Sequence, residues 1–300
     1  MSIEQVQALS TRQIASLNSD ALKGLSAEML ETFSTEELAA IGSSAIKGLS
    51  TSFIPALTTA EVAALSTAGV AGLTGDQINA LGRDQIEALS TSQIAALSSA
   101  GLAGLTTEDL ATFSTGELAA INSTAIRGLS TAVVASLSPQ EIAALTTSQV
   151  ASLSYGQVAA MGSAQIGALS LSQVSALNAM QAAALGGDDL TTFSTEQIIS
   201  LSSSAISGLS TGTLAALTTS QAAAFTPGQI AAMTSAQVTA LNSAKPTNSS
   251  VQDIASFIST TEQQAATPDN AAGTDTSANA SSETQEASDV AATILSYLDV

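Results

Sequence analysis

The sequence predicts an all-α solenoid: a superhelix of short capped helices built on an eight-residue repeat, with a disordered acidic C-terminal tail. Three observations carry this. Octads of one shape run without a gap from Ser2 to Leu241, each opens on a residue that favours a helix N-cap, and nearly every one carries two large apolar residues three positions apart. GRDQIEAL (82–89), STSQIAAL (90–97) and TTSQVASL (146–153) show the frame.

Position 1 of the octad is Ser, Thr, Asn or Gly in all thirty copies. Position 4 is Gln or Glu in eighteen copies, and Asp at Asp109 and Asp189. Ser or Thr followed three residues later by Gln or Glu is a capping box. The hydroxyl accepts from the backbone N–H at N3, and the Gln or Glu side chain accepts from the N-cap N–H. Pro139 and Pro227 stand at position 2, the first helical residue, where a helix tolerates proline best. Each octad therefore reads as a new helix start.

Position 5 is Ile, Val or Leu in every copy except for Ala182 and Ala222, and position 8 is always Leu, Ile, Met or Phe. In a helix these two positions share a face, whereas in a strand they point to opposite faces. Ala, Gln and Leu also favour helix over strand, which sets aside the β-solenoid, the main rival. One unbroken helix is excluded as well. Eight residues advance the apolar face by about 80° past two full turns, so no stripe would form. The chain must break at each junction of position 8 with position 1. Such short helices are unstable alone and must stack, burying positions 5 and 8, with the small position 7 allowing close approach.

A longer period overlies the octad. ETFSTEELAAIGSSAIKGLS (31–50), ATFSTGELAAINSTAIRGLS (111–130) and TTFSTEQIISLSSSAISGLS (191–210) stand ten octads apart, marked by Phe33, Phe113 and Phe193. Glycines at position 7 (Gly24, Gly48, Gly72, Gly104, Gly128 and Gly208) fall mostly three octads apart. A superhelix of ten octads per three turns would produce this spacing, and so would duplication of a block. After Leu241 the frame falters, and SVQDIASF (250–257) restores it as a degenerate terminal cap. The solenoid is thus expected over 2–258 and the low-complexity acidic tail over 259–300.

Composition narrows the function. There is no His, Cys or Trp, and 25 Asp plus Glu oppose six Lys plus Arg for a net charge of −19. Nucleic-acid binding relies on Lys and Arg and is not expected. Neither a signal peptide nor a membrane-spanning run is present, so no membrane insertion is expected. Metal sites built on His or Cys are excluded, and the carboxylates lack calcium-loop spacing. The acidic pair Glu36-Glu37 falls in a first helical turn, where it favours the helix dipole.

Gly208-Leu209-Ser210-Thr211-Gly212 fits the G-x-S-x-G pattern, but that match follows from the octad frame and no His exists to act as its base. Gly186-Gly187-Asp188-Asp189 reads as capping rather than calcium binding. Asn122, Asn248 and Asn279 begin glycosylation sequons, common in so Ser- and Thr-rich a chain. No catalytic, cofactor-binding or metal-ligating residue is assigned, and no enzyme activity or cofactor is expected.

Two resemblances add to this. TPGQIAAM (226–233) looks like the opening helix of a TAL-effector repeat. That family's longer unit, base-reading loop and basic superhelix have no counterpart here, so DNA recognition is not implied. The whole layout is similar to bacterial type I-secreted repetitive surface and adhesin-like proteins. It is acidic, Cys-free and repetitive, lacks an N-terminal signal, and ends Tyr297-Leu298-Asp299-Val300 as an uncleaved C-terminal export signal would. The calcium repeats usual in that family are absent. The resemblance implies a non-enzymatic structural repeat protein, secreted or at the cell surface, acting as adhesin, spacer or extracellular matrix component. Its partners would be a protein, a cell surface or further copies of itself. The alternative is a protein-binding scaffold or effector using the concave solenoid face.

Overall fold

The computed structural model describes residues 2–244. The expected solenoid end at residue 258, the cap at 250–257, the tail over 259–300 and the sequons at Asn248 and Asn279 lie outside them. Within them the chain is a coil of twenty-seven α-helices of four to ten residues and three 3₁₀ turns, and no strand is present among the described residues.

Each octad folds as its sequence dictates. In STSQIAAL the helix spans Thr91–Ala96, with Ser90 as N-cap in extended conformation. Gln93 N–H donates to Ser90 Oγ at 3.3 Å, and Ser90 N–H donates to Gln93 Oε1 at 2.8 Å. The helix closes with Leu97 N–H donating to Ile94 O at 3.2 Å. Leu97 and then the next N-cap, Ser98, take extended ψ angles of 130° and 164°, which break the helix. Where position 1 is glycine, half of the box survives: Gly82 N–H donates to Gln85 Oε1 at 2.7 Å. Pro139 and Pro227 occupy the first helical position, as expected. The octads at 42–49, 50–57 and 122–129 are pinched to 3₁₀ turns at Ile46–Gly48, Ile54–Ala56 and Ile126–Gly128. The last helix, Ser235–Ala244, runs past the junction at which every earlier octad breaks.

Short helices stack because the coil returns. Helix Thr91–Ala96 packs against Thr67–Gly72 on one side and Thr115–Ala120 on the other, each three octads away. Hydrogen bonds reach back 28 and 31 residues, to the fourth octad before. One turn therefore takes between three and four octads, a range that contains the ten-per-three-turns geometry. Position 5 is buried from Val6 to Ala222, and position 8 from Phe33 to Phe225, in one continuous apolar core. The inner side of the coil is filled by this core. The concave inner face that a wide solenoid offers is occupied here by positions 5 and 8.

The main structural bond between turns comes from position 4. Gln93 Nε2 donates to Val62 O at 3.0 Å and Leu65 O at 2.8 Å, the carbonyls of positions 5 and 8 one turn earlier. Both lie at a helix C-terminus: the position-5 carbonyl accepts from the position-8 N–H, as Val62 O does from Leu65, and the position-8 carbonyl has no donor within its own helix. One Gln amide thus caps its own helix start through Oε1 and another helix's end through Nε2. Twelve Gln residues, from Gln77 to Gln237, make the bond 28 residues back. Glu can perform the first task but has no proton for the second. Glu141 caps Ser138 N–H at 2.6 Å and makes no bond to the preceding turn.

A second kind of octad dispenses with the ladder. All six octads with glycine at position 7 carry Ala or Gly at position 4. A Cβ added at Gly48, Gly72, Gly104, Gly128 or Gly208 would collide with the backbone of Ser19, Ser43, Gly75, Ser99 or Ala179 respectively, one turn earlier. Here the turns touch backbone to backbone, too close for a Gln between them.

These contacts rank substitutions. Ser90→Ala loses one cap, about 1 kcal/mol. Gln93→Glu keeps the cap yet leaves the buried Leu65 carbonyl without a donor and the Val62 carbonyl with one of its two, and should cost more, about 2–3 kcal/mol. Hydrogen exchange should then report faster opening of 58–65 as well as of 90–97. The reverse change, Glu141→Gln, should stabilise by about 1 kcal/mol by bonding Leu110 and Phe113 carbonyls. Gly72→Ala should unfold its neighbourhood. Gly24→Ala should be neutral or slightly stabilising, because a Cβ there meets nothing closer than 3.5 Å. Thermal denaturation of the two glycine variants checks that contrast.

Candidate interaction surface

The motifs singled out in the sequence resolve into structural parts. Ser210 of the G-x-S-x-G match is an N-cap whose Oγ accepts from Thr213 N–H at 3.0 Å, and Gly208 before it is a close-approach glycine. In Gly186-Gly187-Asp188-Asp189, Asp189 caps Gly186 N–H at 2.8 Å and accepts from Ser163 Oγ of the adjoining turn. Asn122 accepts from the backbone and hydroxyl of Thr124. Glu37 of the acidic pair caps Ser34 N–H at 2.8 Å, as its place in the first turn implies.

Three carboxylates at helix starts, Glu4, Glu108 and Glu196, are held in their charged form. A hydrogen bond from Ser2 holds Glu4 below its ordinary pKa. Their own backbone N–H groups do the same at Glu108 and Glu196, helped by neighbouring hydroxyls. A group lowered in this way supports the fold above the unfolded carboxylate range and loses that support as pH falls. This is cap chemistry, opposite in direction to what a general acid requires. An open groove of about 550 Å³ runs past Thr67, Ala68, Ala95, Ser98, Asn122 and Thr124 and holds no titratable side chain.

The outer surface is not uniform. Between 128 and 187 the only charged residue is Glu141. This uncharged stretch presents three exposed large apolar side chains, Tyr155 (49%), Leu171 (49%) and Met180 (65%), and Ile199 (51%) follows. The helices of Tyr155 and Met180 pack against each other, as do those of Leu171 and Ile199. Their counterparts ten octads earlier are Gly75, Thr91, Ala100 and Ala119. The repeat does not require these side chains, so they belong to this part of the coil alone. The octad pattern drew attention to positions 1, 4, 5, 7 and 8. Comparing the ten-octad copies at positions 2, 3 and 6 would have revealed this quartet.

The sequence profile of the ALTTAQ repeat matches residues 54–91, 110–147, 118–155 and 206–235. The chain is a repeat protein. The hexad after which that repeat is named stands here as ALTTAE (56–61) and ALTTSQ (144–149 and 216–221). It straddles a junction: Ala and Leu close one octad, and the next four residues are the cap of another. No curated protein matches the chain. No helix among the described residues is long and apolar enough to cross a membrane.

Replacing Tyr155, Leu171, Met180 and Ile199 with Ser, Thr, Ser and Ala should leave thermal stability nearly unchanged, within about 0.5 kcal/mol per site. Binding of a hydrophobic fluorescent probe to the folded protein should fall.

Proposed function

We propose that this is a non-enzymatic structural repeat protein, secreted or cell-surface associated, that serves as a spacer, adhesin or matrix component. The observation that carries the reading is the ladder: every second-turn or later Gln at position 4 ties its turn to the one before. A coil bonded in this way transmits load along its axis without needing disulfides or metals. Hydroxyls and carboxylates stand at its helix starts, which suits a long, soluble element. The extracellular placement rests on the acidic, Cys-free, repetitive layout and its resemblance to type I-secreted proteins.

A second reading, a protein-binding scaffold, is favoured by the apolar quartet on the uncharged outer surface. It would use the outside of the coil, since the inside is filled. Cell fractionation separates the two. The first reading expects the protein in culture supernatant or on the cell surface, and its loss from both when a type I exporter is deleted. Delivery that depends on a contact-dependent injection system would count against it and favour the scaffold.

A further inference from the structure

Of the five asparagines in the described residues, only Asn122 heads a sequon, Asn122-Ser123-Thr124. Its side chain also behaves unlike the other asparagines at position 1. Asn18 and Asn178 cap their helices, the Oδ1 of each accepting from the backbone N–H three residues on, at 2.8 and 3.1 Å. Asn178 further donates through Nδ2 to Gln181 Oε1 at 2.9 Å. Asn122 does neither. Its octad is pinched to the 3₁₀ turn at Ile126–Gly128, which no side chain caps. Its Oδ1 accepts instead from Thr124, from the backbone N–H at 2.9 Å and from the hydroxyl at 2.7 Å.

Those two donors fix which way the amide points, because only its oxygen can accept them. Its Nδ2 is left without an acceptor among the described residues, and both Asn122 and Thr124 are exposed. The fold does not require this asparagine. Ten octads away its counterparts are Gly42 and Ser202, and Ser202 caps its helix in the ordinary way, accepting from Ala205 N–H at 3.1 Å. There is also room beside it. Asn122 and Thr124 line the open groove of about 550 Å³ that runs past Thr67, Ala68, Ala71 and Ser98 and contains no charged side chain.

We propose that Asn122 is an acceptor site for N-glycosylation, with the groove holding the first sugar. The co-substrate is a sugar activated at its anomeric carbon by a phosphate or pyrophosphate leaving group, delivered by a transferase. A bond forms between Nδ2 and the anomeric carbon as the bond from that carbon to the phosphate oxygen breaks. The nitrogen gives one proton to a base of the transferase, and the phosphate departs with the bonding electrons. Thr124 assists, because two hydrogen bonds into Oδ1 draw electron density from the amide and make an Nδ2 proton easier to remove. A groove lined by hydroxyls and methyl groups suits a neutral sugar, which presents both O–H and C–H faces. The inference is independent of where the protein resides, since nucleotide-linked and lipid-linked sugars share this chemistry.

Peptide mass mapping of the full chain purified from its own cells tests this. Trypsin cuts after Arg83 and Arg127, so the sequon falls in one peptide, 84–127. That peptide should carry the mass of at least one sugar, and fragmentation should place it on Asn122. Asn122→Ser, which installs the residue found at 202, should remove the added mass completely, and so should Thr124→Ala. Thr124→Ser keeps the hydroxyl and should keep the modification. Circular dichroism and thermal unfolding of the three variants should match those of the unmodified wild-type chain, which separates loss of the sugar from loss of the fold. Transfer to the unmodified chain by the soluble fraction of those cells with a nucleoside-diphosphate sugar would support a nucleotide-linked donor. Transfer by their membranes alone would support a lipid-linked one. A native 84–127 peptide without added mass would overturn the proposal. So would a sugar that persists in Asn122→Ser, which would place it on a hydroxyl, or full occupancy in Thr124→Ala.

Discussion

The structure depends on a single side-chain amide used at both ends. Ordinary helices solve their two terminal problems separately, with an acceptor for the first N–H groups and something else for the last carbonyls. Here Gln at position 4 supplies the acceptor to its own octad and two donors to the octad one turn earlier, as Gln149 does for Ile121 and Leu118. A buried primary amide is costly unless each of its groups is bonded. In this setting all are bonded, so the same residue that would be a liability in a core fixes the pitch of the coil.

Two octad types share the work. Ladder octads hold turns apart by the length of a Gln side chain, and close-approach octads draw them together until only glycine fits. Gly72 against Ser43 and Gln93 reaching Leu65 are neighbouring examples. The alternation sets the local spacing, and the apolar pair at positions 5 and 8 fills what lies inside. In most solenoids a repeat touches only its sequence neighbours. Here each octad also rests on others three and four places away, so opening one weakens several.

Much of this was legible in the chain. The frame, the caps, the breaks after position 8, the burial of positions 5 and 8 and the clearance at position 7 follow from local rules, which octads obey one at a time. The role of Gln did not follow, because a capping box asks only for an acceptor and Glu serves equally well. The helix dipole would even prefer Glu. The signal was the excess of Gln, fourteen against four Glu at position 4, in a chain otherwise rich in acid. Interpreting it required knowing which carbonyls lie one turn earlier, and only the pitch of the coil determines that. The exposed quartet was hidden for a different reason: it sits where the octad imposes no rule.

The junction between octads has an evolutionary consequence. Every octad presents the same carbonyls at the same two positions, so Gln93 would find acceptors on whichever octad lay beneath it. Unequal recombination that adds or removes a whole octad exchanges one equivalent partner for another and leaves the coil intact. A change of one residue would shift every later amide off its carbonyls. Rod length is therefore a property that heredity can adjust in small, safe steps, while the pitch is not.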